Sequence, residues 1–259
     1  MPFNWWFKVV LALIVFIPPY AQIPFSPENT TAVIASVMGH PLITSIGWVA
    51  PLAKWVLLAV VVVSLIMTNE SAEKVMLGYY IVVLIIVGLF QNMSFTTAYG
   101  FVWLIGNTVV QFIVVAYCLY DLINRKTVIK QFRSKGRLWI IPLMVFAFLM
   151  PYGVNDAGHV YPAFTISVLF NEAGVIYCMI TPVLLGMLIL FSDGVHPPTL
   201  SVISYVGLVF GILNIVTWFG IRPESWWMGV LHLPLLAISI FGLVLSGKAK
   251  KIRPSAFLR

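Results

Sequence analysis

An ammonium inside an apolar run is the costliest group in this sequence. Lys54 lies about ten residues into the run near 45–67, a depth of ~13 Å by helical rise. A charge there must snorkel outward along its stem, meet a carboxylate such as Glu172, or hold an anionic ligand. Five other polar residues sit within or at the ends of apolar runs. Asn107 and Gln111 are four apart and share one helix face, Glu172 opens a later run, and Asn214 and His232 follow in the last two. Under the topology derived below, all six fall in the outer half of the membrane. They are the expected ligand-binding set: an outward-facing polar pocket that binds or transports a small molecule. The plainer alternative for Asn107, Gln111 and Asn214 is interhelical hydrogen bonding, worth ~0.6 kcal/mol each on average. A methionine at position 54 keeps the apolar stem, so it is expected to preserve folding and abolish binding.

Histidine chemistry is the competing reading. His40, His159 and His232 are all assigned to the outer side, and imidazoles suit zinc, copper or haem. None of the three stands at ligand spacing from another, so no metal site is assigned and the cofactor is left unknown. His196, in Val195-His196-Pro197-Pro198, reads as a turn residue, and Asp121 as the partner of Arg125 one helical turn on. Cys118 and Cys178 lie in apolar stretches and read as small core residues. The sequence has no glycine-rich phosphate loop, Gly-x-Ser-x-Gly, His-Glu-x-x-His or Cys-x-x-Cys, and catalysis is not the expectation. Asn29-Thr30-Thr31 and Asn92-Met93-Ser94 match the glycosylation pattern, which chance alone produces often.

The elements that must position these residues follow from composition. Of 259 residues, 61% are hydrophobic and 9% charged, with mean hydropathy +1.02. A soluble domain needs roughly 25% charged residues to clothe its surface, so lipid is the expected solvent. Apolar runs occur near 5–22, 45–67, 75–91, 99–123, 138–152, 171–191, 199–219 and 225–246, each bounded by Pro, Gly, Asn or charge. About eight transmembrane helices result. With the 124–137 loop and the tail cytoplasmic, 13 of the 15 Lys and Arg fall inside, Lys54 and Arg222 being the exceptions. Basic residues favour the cytoplasmic side, so both termini are placed there. The net charge of +7 thus reflects orientation and lipid headgroup contact rather than nucleic-acid binding.

The run near 5–22, with Lys8 ahead of its apolar core, resembles a signal peptide, but its end recurs. Phe16-Ile17-Pro18-Pro19-Tyr20 matches Phe148-Leu149-Met150-Pro151-Tyr152, and an Ala…Ser-Val register follows each before Pro51 and Pro182. The expected fold class is therefore an all-α integral membrane protein built as two parallel four-helix repeats. Residues 1–123 form the first repeat, 124–137 a basic cytoplasmic loop, 138–247 the second repeat and 248–259 a basic cytoplasmic tail. Each repeat carries an outer apolar insert, near 31–44 and 162–170, which is interfacial, re-entrant or a helix extension. The expected partners are the bilayer, a small-molecule ligand, and other membrane-complex subunits or further copies of the chain. The expected location is the plasma membrane. The alternative functions are a non-catalytic subunit of a larger membrane complex and an intramembrane haem- or metal-binding redox protein.

Overall fold

A computed structural model describes residues 2–67, 70–128, 135–191 and 193–252. Two prolines set the start of the fold. Helix α1, Trp5–Val15, cannot continue through Pro18-Pro19, which lack the N–H a helix needs. The chain instead becomes extended, and β1, Tyr20–Ala21, pairs antiparallel with Trp103 and Val102. The predicted run 5–22 is thus a short helix followed by a strand.

Strands β2, Met93–Thr96, and β3, Gly100–Trp103, form a hairpin, and with β1 they make an antiparallel sheet of order β1-β3-β2. Helix α2, Thr30–Gly39, packs its Val33 and Val37 against Val102 and Leu104 beside that sheet. The first insert is therefore a helix lying on a small sheet. It does not extend the next helix, because Pro41 stands in extended conformation after it. Helices α3, Val49–Ile66, α4, Glu70–Phe90, and α5, Ile105–Asn124, complete the first half.

The second half opens with α6, Ile140–Leu149. Met150 ends it in the left-handed region, φ 46°, and Pro151 follows. A two-stranded ribbon comes next, β4 Gly153–Val154 with β5 Val160–Tyr161. Its loop is closed by the Asn155 side chain, whose Oδ1 accepts from the N–H groups of Ala157 and His159. Two 3-10 turns, Ile166–Leu169 and Glu172–Val175, then lead into α7, Tyr177–Leu190. The turns and α7 meet at an 88° bend. Helix α8, Pro197–Ile215, runs on as a π-helical segment to Ile221, and α9 spans Trp226–Ile252. That end lies five residues past the predicted boundary at 247.

Every residue of α7 is buried, so it is the core helix, and α3, α4, α6, α8 and α9 pack around it. Helix α3 does the opposite. It exposes Leu52, Trp55, Val56, Val62, Val63, Leu65 and Ile66 and buries Ala50, Lys54, Leu57 and Ser64. Those four follow the i, i+4, i+7 stripe of a helix with one protein-facing side. Between α8 and α9 the small residues are spent internally: Gly207 faces Ser239 and Gly242 faces Ser204.

Five described helices are long and apolar enough to cross a membrane, or six if the bent pair is one span. The chain is accordingly a mostly helical, multi-pass membrane protein. Helices α1 and α6, with 11 and 10 residues, fall short of the ~20 a helix needs to cross alone.

Candidate functional site

Helix α6 ends abruptly, and its end is the foundation of the site. The last carbonyls of a helix have no partner within it. Here those of Leu149 and Met150 are taken by the Asn171 side chain, whose Nδ2 donates to both at 2.9 Å. Asn171 also caps the following 3-10 turn, its Oδ1 accepting from Ala173 N–H at 3.2 Å. The position is one asparagine favours, because a short side-chain oxygen reaches the N–H two residues on.

Lys54 comes in from α3 to finish this arrangement. Its Nζ donates to Asn171 Oδ1 at 2.6 Å, to Val168 O at 2.5 Å and to Leu149 O at 3.3 Å. It also lies 4.9 Å from the centre of the Phe148 ring. The side chain is fully buried. An ammonium has three protons, and each is used. A cation at a helix C-terminus also meets the negative end of its dipole. Lys54 does not snorkel, because the α3 stripe that buries Ala50 and Leu57 turns it inward. Since α3 begins at Val49, it is the sixth residue of its helix, about 8 Å along the axis.

The turn reaches α3 through Gly174. A Cβ there would lie 2.5 Å from Lys54 Cα and 2.6 Å from Ala53 C, with Lys54 N nearer still. Only glycine permits this backbone contact.

Outside the lysine lies a cavity of about 290 Å³ lined by Tyr152, Ser167, Phe170, Asn171 and Glu172. Tyr152 donates its hydroxyl proton to Glu172 Oε2 at 2.7 Å. Ser167 and Thr165 share a hydroxyl hydrogen bond of 2.6 Å.

Of the six residues expected to share one pocket, Glu172 lines this cavity, and Lys54 is joined to it only through Asn171. Gln111 is buried on α5 against Gly88 and accepts from Asn92 Nδ2 at 3.5 Å. Asn107 is half-buried one turn before it. Asn214 donates to Phe210 O and to Cys178 Sγ and accepts from Trp218 Nε1 at 3.1 Å. His232 is buried with Nδ1 on the Met228 carbonyl at 2.6 Å. These four lie in other parts of the bundle. Tyr152, Ser167, Phe170 and Asn171 were not singled out from the sequence. Asn171 had a signal, as a capping residue placed just before Glu172.

His40 and His159 are exposed. Among the described residues no group of three His, Cys, Asp or Glu could hold a metal ion.

The opposite end of α5 corrects a second expectation. Asp121 does not serve Arg125, which is the left-handed C-cap of α5, φ 48°. Its carboxylate accepts from Thr127 N–H and Thr127 Oγ1, both at 2.7 Å. Thr127 in turn accepts from His196 N–H at 2.9 Å, and His196 Nδ1 lies 3.0 Å from Thr199 Oγ1. His196 is therefore more than a turn residue, since it ties the start of α8 to the end of α5. Burial lowers its pKa and Asp121, 3.9 Å away, opposes that. Within 124–137, residues 129–134 lie outside the described residues, as do 253–259 of the basic tail.

The elements and the site define a multi-pass membrane protein with a lysine sealed under a small polar cavity. No protein-family model, curated protein or solved structure matches the chain.

Proposed function

We propose that this chain crosses the plasma membrane eight times, with both termini inside, and that its cavity opens outward to bind or transport a small molecule. Residues 1–123 and 138–247 are two parallel repeats joined by the basic 124–137 loop, and 248–259 is the basic end. Element order favours the repeat. Short helix, strand, insert and three further helices follow in each half, with Pro51 in α3 and Pro182 in α7, the β2–β3 hairpin being particular to the first. Packing follows the same order: α1 against α5 and α6 against α9, α3 against α4 and α7 against α8, α4 against α5 and α8 against α9.

The two short helices cross on this reading because extended chain completes them. Eleven residues of α1 rise about 16 Å and the turn at Phe16–Ile17 adds about 3 Å, and the four extended residues from Pro18 to Ala21 add about 13 Å. Together they exceed the ~30 Å hydrocarbon core. The β1 backbone pairs with β3, as non-helical chain at that depth requires.

The observation that carries the function is the 290 Å³ cavity whose wall residue Asn171 holds a fully buried lysine. A membrane protein pays for a buried charge when the charge builds a site. Ser167 lines the cavity and is exposed, so Ser167→Trp fills it without disturbing the core. Purified wild type is expected to gain several degrees in melting temperature with some member of a charge-diverse small-molecule set, and Ser167→Trp to gain none. Equal responses in the two proteins would remove the cavity as the binding site.

A further inference from the structure

We infer that the cavity selects a small organic ammonium ion, with Glu172 as its counter-ion. The inference rests on the reading of the cavity as a binding site and adds the class of ligand.

It follows from which hydrogen-bonding atoms around the cavity are already used. Lys54, the obvious anion ligand, has its three protons on Leu149 O, Val168 O and Asn171 Oδ1. Both protons of the Asn171 amide go to Leu149 O and Met150 O. The Tyr152 proton goes to Glu172. Among the lining side chains, an entering anion would find only the Ser167–Thr165 hydroxyl pair as donors, and it would face the Glu172 carboxylate. Acceptors are the opposite case. Glu172 Oε1 and the Tyr152 oxygen lone pairs remain for a ligand that brings its own protons, and the Phe170 ring, half exposed, offers a face to a cation. Lys54 repels a second cation, but it stands behind Asn171 with three oxygens turned toward it, whereas Glu172 stands in the wall.

The test uses three probes of one shape: cyclohexylammonium, cyclohexanol and cyclohexanecarboxylate. Each is titrated calorimetrically into the purified full-length protein, with Ser167→Trp as the blank for partition into detergent. The ammonium is expected to bind at least roughly tenfold more tightly than the alcohol, as a charge-assisted contact implies, and the carboxylate not to bind. Glu172→Gln keeps an acceptor for Tyr152, so the fold should survive and the preference for the ammonium should vanish. Alcohol binding equal to the ammonium, tighter carboxylate binding, or a preference that survives Glu172→Gln each overturns the ammonium assignment and leaves the binding site standing. Binding of none of the three above the blank overturns the binding site as well.

Discussion

Gly174→Ala is expected to cost roughly 3 kcal/mol or more, the upper range for overpacking, and to remove most of the folded protein from a detergent extract. The added methyl group would meet Lys54 Cα at 2.5 Å and Ala53 C at 2.6 Å. Those are backbone atoms in the middle of a helix, so no rotamer change relieves them. Either α3 or the Glu172–Val175 turn must move. If the turn moves, Asn171 leaves the end of α6 and the acceptors around Lys54 come apart. Gly136→Ala is the control, since a Cβ there meets nothing within 4 Å. The comparison is the monodisperse fraction and melting temperature of the two variants. A Gly174→Ala protein as stable as Gly136→Ala would show that the close approach does not exist.

Lys54→Met is expected to be the second large effect, about 2–3 kcal/mol. The three donated bonds are worth roughly 1.5–3 kcal/mol each when one partner is charged, but methionine no longer carries a charge whose burial must be offset. Leu149 O keeps Asn171 Nδ2 and Asn171 Oδ1 keeps Ala173 N–H, which limits the loss, while Val168 O is left bare. From sequence alone, methionine is expected to leave folding intact. Three named acceptors revise that expectation. Because Lys54 and Asn171 serve one network, adding Asn171→Ala to Lys54→Met should cost clearly less than the sum of the two single changes. Strict additivity of the three melting free energies would mean that the residues act independently.

The bundle was legible in the sequence because lipid imposes a simple rule: long apolar runs, interrupted by polar breaks, become helices. Each of the five long spans and the bent one overlaps a predicted run, and all but Val49–Ile66 extend past its bounds. The ends of those runs were not legible, because hydropathy does not distinguish an apolar helix from an apolar strand. Pro18–Ala21 and 100–103 lie inside apolar runs, yet Pro18-Pro19 and the β2–β3 hairpin make them extended. Lys54 could be found because a charge is costly in an apolar run, and Glu172 because it stands at a run boundary. Asn171, Tyr152, Ser167 and Phe170 could not be ranked that way. Polar or aromatic residues in an outer insert are ordinary, and only the turn of the chain over α6 brings them to the lysine. The same limit applies to Asp121, where a helix-spaced Arg125 was the obvious partner but a left-handed cap turned the chain so that Thr127 arrived instead.

The central claim is a cavity open to the outside of a membrane that the chain crosses in a fixed orientation. The most direct measurement is labelling of single cysteines in intact cells with a membrane-impermeant maleimide. Native Cys118 and Cys178 are buried and give little background. Ser167→Cys, in the cavity wall, should label at once from outside. Gly136→Cys, in the basic loop between the halves, should label only after the cells are permeabilised. Labelling of both positions from the same side, or of Gly136→Cys alone from outside, would contradict the account.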